Sequence, residues 1–194
     1  MKLSTSLNLF NLFSCIVLML GFCWYNTEYL PSKLYPEYVT KTLYLDRSFT
    51  LEERETIIDA TLDWAEATNY RVKFSVDTLP IKNEQIKDAI IFNKMDDESP
   101  QVIILDTFNG NTTLGFYDNH DAIPYVGLIS YRIGRKYYKA VVLHELGHAL
   151  GLAHNDKEED KGTLMYPIID YGSDYITKAD ITNYCILHRC KSKN

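Results

Sequence analysis

Apolar and polar positions along this chain change period several times, and each change marks an element. Residues 39–45 put Val39, Leu43 and Leu45 on one face and predict a strand. Thr50-Leu51-Glu52-Glu53 then has the form of a capping box, hydroxyl first and carboxylate three residues later. It opens a predicted helix to about Thr68, with Ile57, Ile58, Thr61, Leu62 and Ala65 as the buried stripe. Residues 71–76 alternate, with Val72, Phe74 and Val76 inward, and predict a second strand. Short apolar runs at 89–92 and 102–105, bounded by charged or turn residues, predict two more. Asn109-Gly110-Asn111 signals a turn, and residues 113–117 and 126–131 are further strand candidates. A helix is predicted to begin near Arg135. Thr177 can cap a last helix from Lys178 to about Leu187, with Ile181, Tyr184 and Cys185 inward. Strand, helix, several strands and helices in this order describe an α+β domain with a mixed sheet.

The beginning of the chain has a different pattern. Lys2 precedes a mostly apolar run, and residues 15–25 contain no charged residue or amide. A signal peptide over residues 1–25, with Gly21 and Cys23 placed for cleavage, fits this, and so does an uncleaved signal anchor. Either takes the remainder across a membrane, so an exported protein is expected, secreted or anchored through that segment alone. Pro31 and Pro36 mark residues 26–37 as a linker. This leaves 38–190 for one domain and 191–194 as a tail. Apolar residues at 46% and charged ones at 24% are a globular composition. The net charge of −6 and the lack of a long basic run argue against nucleic acid as a partner. Cys185 and Cys190 suggest one local disulfide in an exported domain, with two free thiols as the alternative.

The candidate chemistry is concentrated between Val141 and His154. Three of the five histidines and one glutamate fall within eleven residues there. On a helix, His144 and His148 lie about 40° apart around the axis and share a face, so two neutral imidazoles can hold one metal ion. Glu145 is about 100° from His144 and stands beside the ion without coordinating it. Gly151 can take a positive φ, end the helix and swing the chain back, so that His154 supplies a third nitrogen. Three neutral nitrogens leave a tetrahedral zinc one open position for water, the arrangement of a catalytic site. Glu145 is then placed to take a proton from that water and pass it to a leaving amine. Asp96-Asp97-Glu98 reads best as a solvated loop, with a calcium site as the alternative that has no ligand spacing behind it. His120, in Asp118-Asn119-His120-Asp121, is either a solvated loop histidine or part of a second metal site.

His144-Glu145-Leu146-Gly147-His148-Ala149-Leu150-Gly151-Leu152-Ala153-His154 resembles the long zinc motif of the metzincin zinc metalloendopeptidases. Met165, eleven residues after His154, resembles the methionine of their Met-turn, and Leu164-Met165-Tyr166-Pro167 is most similar to the matrixin (matrix metalloproteinase) version. Thr177-Lys178-Ala179-Asp180-Ile181 resembles the start of the matrixin C-terminal helix. The resemblance implies a metzincin-like α+β fold: a mixed twisted sheet and two long helices above a C-terminal subdomain with a Met-turn and a last helix. It implies one zinc ion on His144, His148 and His154, Glu145 as general base, and Met165 as an apolar floor under the metal. It also implies a substrate pocket walled by Tyr166, Pro167, Ile169 and Tyr171, and an extended protein or peptide substrate added along an edge strand, for which 113–117 is the candidate. Asn155 stands where matrixins usually carry a hydroxyl residue, and Ile169 where their pocket wall typically has tyrosine. The expected function is a zinc-dependent endopeptidase. A non-catalytic, zinc-stabilised peptide-binding module on the same fold is the rival.

Overall fold

The computed structural model describes residues 39–78, 88–109 and 113–190. The expected targeting segment, the linker, the tail, and Gly110 and Asn111 of the expected turn lie outside them. The first described strand, β1 (Val39–Leu45), is followed by helix α1 (Leu51–Ala67) and strand β2 (Val72–Thr78). Strand β3 (Ala89–Lys94), helix α2 (Pro100–Asn109), strands β4 (Gly115–Asp118) and β5 (Tyr125–Leu128), and helices α3 (Arg135–Ala149) and α4 (Lys178–Leu187) complete the order. The strands form one sheet in the order β2-β1-β3-β5-β4. All neighbours run parallel except β4, which is antiparallel to β5 and ends the sheet. No described helix is long and apolar enough to cross a membrane.

Burial follows from position in the sheet. Leu43, Tyr44 and Leu45 on β1 and all four residues of β5 are buried, as expected where parallel strands are covered on both faces. β2 pairs only with β1, so its apolar face runs out beyond the core. Val72 is buried and Phe74 half-buried, but Val76 is exposed, against the inward position predicted for it.

The Thr50 capping box forms as read: the Glu53 N–H donates to Thr50 Oγ1 at 3.2 Å, and the Thr50 N–H to Glu53 Oε2 at 2.6 Å. The buried stripe of α1 is Ile57, Ala60, Thr61, Trp64 and Ala65, whereas Ile58 and Leu62 are exposed. The predicted stripe is rotated toward Ile58 and Leu62 and leaves out Trp64. That indole is fully buried and donates from Nε1 to the Leu143 carbonyl at 3.0 Å, tying α1 to α3.

The largest correction is at residues 102–105, which lie within α2 and not in a strand. A run of four apolar residues fixes no period. Pro100 occupies the first helical position, where its missing N–H costs nothing. Val102 and Asp106, one helical turn apart, face inward, and Ile103 and Ile104 face out. The inward position of Asp106 disguised the helical pattern. It is held by Arg132, whose Nη2 lies 2.8 Å from Asp106 Oδ2 and which also pairs with Asp97. The strands expected at 113–117 and 126–131 are shorter, Gly115–Asp118 and Tyr125–Leu128. Ile129 and Ile133 are buried in a turn closed by their own backbone, Ile133 N–H to Ile129 C=O, so apolar character outlasts the strand.

Candidate metal centre

The centre stands at the carboxyl end of α3. One turn of that helix puts His144 and His148 on the same side, and the helix then stops at Leu150. Gly151 has φ +91°, the left-handed region that favours glycine, and Leu187 Cδ2 lies 2.9 Å from where its β-carbon would stand. The Gly151 N–H bonds the His148 carbonyl at 2.8 Å and the Leu152 N–H the Gly147 carbonyl at 3.0 Å, a Schellman ending that reverses the chain. His154 therefore returns to the helix it has just left. The three Nε2 atoms lie 3.0–3.1 Å from one another.

Hydrogen bonds on the far side of the rings set their tautomers. His144 Nδ1 is 2.8 Å from the Leu164 carbonyl and His148 Nδ1 is 2.8 Å from the Leu152 carbonyl. A carbonyl only accepts, so both Nδ1 atoms carry hydrogen and both Nε2 atoms present lone pairs. Lone pairs facing at this distance repel unless a cation lies between them. Nitrogens so spaced can share one ion at the usual zinc–nitrogen distance of about 2.0–2.1 Å. Burial, with His148 beside it, holds His144 down to about 4, and burial lowers His148 and His154 as well. The set thus stays neutral and ready for a metal at neutral pH. Among the described residues this is the set of three metal-ligating side chains close enough to share an ion.

Glu145, the residue after His144, is buried, with Oε2 lacking any hydrogen-bond partner. Desolvation pushes its carboxyl up to about 8. Its place is made by Gly115 on the edge strand β4: a β-carbon there would stand 3.1 Å from Glu145 Cγ and Oε1 and 3.0 Å from Val141 Cγ1.

Met165 is buried with its sulfur against Gly147, the residue before His148, where any β-carbon would collide with it. The turn that carries Met165 is clamped from α4. Asp180, with no exposed surface, accepts from the Leu164 and Met165 N–H groups at 3.1 and 3.2 Å and from the Thr177 N–H at 2.8 Å. Since the Leu164 carbonyl orients His144, this clamp reaches the ligand set in one step. The Thr177-x-x-Asp180 spacing was legible as a helix cap, but a cap does not announce what else its carboxylate holds. Asn155 is a second latch. Its N–H donates to the Met165 carbonyl at 2.8 Å, its Nδ2 to Thr163 Oγ1, and its Oδ1 accepts from Asn183.

The predicted pocket residues follow the Met165 turn. Tyr166 is buried, Pro167 exposed, and Ile169 half-buried against the core. Residues Ile169–Tyr171 form a 3-10 turn that packs on α3. Tyr171 is exposed, with Lys161 Nζ 4.7 Å from its ring centre. His120 is outside this assembly: it is nearly fully exposed and bonds Asp118 through Nδ1 at 2.8 Å, and among the described residues no third ligand joins them. Cys185 and Cys190 are joined in a disulfide.

A family model for matrixins matches residues 46–187. Comparison with curated proteins finds no match. Among solved structures, the chain is similar to high choriolytic enzyme 1, a hatching enzyme zinc-protease from Oryzias latipes (medaka fish). The TM-score is 0.51 at 15% identity, covering 80% of this chain and 92% of that one. It is also similar to archaemetzincin from Methanopyrus kandleri, with TM-score 0.51 and 15% identity, covering 83% of this chain and 99% of that one. At these identities the two structures speak for the fold alone, and it is the metzincin-like α+β fold expected from the motif. With three imidazoles gathered on one point over a buried methionine, and most of the chain matched by one family, this chain belongs to the matrixin family of zinc metallopeptidases.

Proposed function

We propose that this protein is a zinc-dependent endopeptidase that cleaves extended protein or peptide substrates, with His144, His148 and His154 holding one zinc ion and Glu145 as general base. The observation that carries the reading is the combination of three converging Nε2 atoms with a buried glutamate on the next residue that has one oxygen unpartnered. A non-catalytic module has no use for that oxygen, which costs about 1–3 kcal/mol to leave unsatisfied.

When bound, zinc supplies Lewis acidity, which makes water a stronger acid and a peptide carbonyl a better electrophile. The protein supplies the remainder. Glu145 takes a proton from the attacking water as its oxygen bonds to the carbonyl carbon. The same carboxyl then gives that proton to the amine nitrogen as the carbon–nitrogen bond breaks. The backbone carbonyls of Leu164 and Leu152 keep the His144 and His148 rings oriented throughout. β4 ends the sheet, and its Gly115 lies against Glu145, so a substrate added as a strand along β4 would run past the general base. Pro167, Ile169 and Tyr171 wall the pocket for the residue after the scissile bond, with Tyr166 buried behind them.

Export belongs to the proposal. A Cys185–Cys190 disulfide suits an oxidising compartment, and residues 1–25 have the composition of a signal peptide or anchor. The test of function is zinc content and cleavage of casein or gelatin by purified protein. Wild type should hold zinc and cut, and Glu145→Ala should hold zinc and not cut. Wild-type protein that binds no zinc defeats the reading.

A further inference from the structure

His188 lies one residue beyond the stretch matched by the matrixin family, which ends at 187. Its Nε2 is 2.8 Å from the carbonyl of Leu150, the residue at which α3 ends. The carbonyl only accepts, so the imidazole donates. The other bonds that shape this corner are local: Leu152 to Gly147, Gly151 to His148, and His148 Nδ1 to Leu152. They fix the turn within itself and leave open how the turn sits on the body of the protein. Bonds from outside the turn do that. Asn155 to Met165 secures the far end, and His188 to Leu150 secures the near end, just before the Gly151 hinge. Leu187 adds contact at the same spot, with Cδ2 against the open face of Gly151.

His188 is itself held from both sides. Its ring lies 4.4 Å, centre to centre, from that of Tyr184, which is buried and packs on Trp64 at 6.4 Å. After His188 the chain turns through Arg189, at φ +51°, and returns to Cys190, whose N–H bonds the Cys185 carbonyl at 2.9 Å. The Cys185–Cys190 disulfide closes that turn around His188.

We propose that His188 is a positioning residue for the metal centre: by holding the Leu150 carbonyl it fixes the hinge from which His154 is delivered, and the Cys185–Cys190 bridge keeps it there. The inference rests on the zinc reading of the three histidines. It assigns the terminal disulfide a purpose beyond tying down the end of the chain. A bond to the last carbonyl of the ligand helix acts on where His154 stands, and so on how long the metal stays.

The experiment is zinc release to a chromogenic chelator from the full chain, with the fold of each variant checked by circular dichroism and zinc-free thermal midpoint. His188→Ala should release zinc about tenfold faster, the lower end of what loss of a supporting hydrogen bond around a metal costs. His188→Gln, whose amide N–H can still reach a carbonyl, should recover most of that loss. The double variant Cys185→Ser, Cys190→Ser should behave like His188→Ala while retaining the imidazole. Wild-type release rates in His188→Ala, or equal defects in Ala and Gln, overturn the proposal even if the midpoints fall, because that pattern is merely structural. Should His188→Ala fail to fold, the double variant decides, and an unchanged release rate there overturns it. Wild type that binds no zinc overturns the reading of the site itself, a result separate from all of these.

Discussion

Met165 rests its sulfur on the bare backbone of Gly147, one residue before the second histidine of the cluster, and nothing larger than hydrogen fits between them. Gly147 is inside a helix, where glycine costs about 1 kcal/mol relative to alanine. Helix propensity alone therefore says that Gly147→Ala stabilises. The contact says the opposite, and it should win, since forcing atoms into a packed core costs about 1–3 kcal/mol. We expect urea unfolding of the zinc-free protein to show a net loss, and zinc affinity to fall with it because Met165 and the Leu164 carbonyl share one turn. A stabilised variant would show that the methionine moves aside freely.

Asp180 should rank among the most sensitive positions for stability. It is fully buried and serves the Leu164 and Met165 N–H groups together with the cap of its own helix. Asp180→Ala leaves several buried donors unsatisfied, and roughly 3 kcal/mol of unfolding free energy should be lost, read from denaturant curves. Asp180→Asn keeps one accepting oxygen but turns an NH2 group toward N–H donors, so it too should be destabilised. A near-neutral Asn variant would mean that the turn is held by its own backbone.

Glu145, the proposed general base, packs against a residue of another element. Gly115→Ala would press a β-carbon on Cγ and Oε1 of Glu145 and on Val141, all at 3.0–3.1 Å. Contacts of this length make a neighbour yield by a few tenths of an ångström, and the neighbour here is the carboxylate proposed to take the proton. Turnover of a peptide substrate should drop about tenfold, in line with the sensitivity of catalysis to small misplacements. Zinc content should not change, because the side chains nearest a β-carbon at Gly115 are Val141 and Glu145. Undiminished kcat in this variant would mean that Glu145 has room to move.

These sites also show which parts of the centre the sequence could reveal. The cluster of three histidines with Glu145 is legible because helical period and one glycine dictate its geometry, and the Thr50 and Thr177 caps because each is a local pattern. What is not legible depends on partners distant in sequence. Gly115 and Gly147 matter for side chains that approach them from 30 and 18 residues away, and nothing in their own neighbourhoods says so. Trp64 looks like one more aromatic until Leu143 supplies its acceptor, 79 residues on. Residues 102–105 read as a strand in sequence for the same reason. The helix is settled by Asp106 turning inward to Arg132, and a buried carboxylate contradicts the apolar pattern that local reading relies on.

That pair contributes to the acid behaviour of the fold. The hydrogen bond from Arg132 holds the Asp106 carboxyl below its ordinary value of 3.8, against a smaller opposing effect of burial. A carboxyl lowered in the folded state contributes stability that is fully present above its unfolded value and is lost as pH falls through the folded one. Asp106 therefore favours the native state above about pH 4 and stops doing so in more acidic solution. Urea midpoints of wild type and Asp106→Asn should differ at pH 6 and converge as pH is lowered below that point. A constant gap down to pH 2 would mean that the contribution of Asp106 is packing and not charge.

Metal and fold should be linked at the same corner of the molecule. Two Nε2 lone pairs are held face to face by carbonyls that fix their tautomers, an arrangement that favours the native state only when a cation neutralises it. Zinc that binds the folded chain alone adds stability as RT ln(1 + [L]/Kd), about 1.4 kcal/mol for each tenfold rise in free zinc above Kd. In a chain of this size each kcal/mol raises the thermal midpoint by about 2–4 °C. Scans in zinc buffers should therefore give a midpoint that climbs linearly with the logarithm of free zinc, and excess chelator should return it to the zinc-free value. His154→Ala should flatten the slope, since the two helix histidines alone bind weakly, while leaving the zinc-free midpoint nearly unchanged because His154 is exposed. A midpoint indifferent to zinc in wild type would mean that the three nitrogens do not hold the ion. A slope retained in His154→Ala would mean that the hinge at Gly151 delivers no ligand.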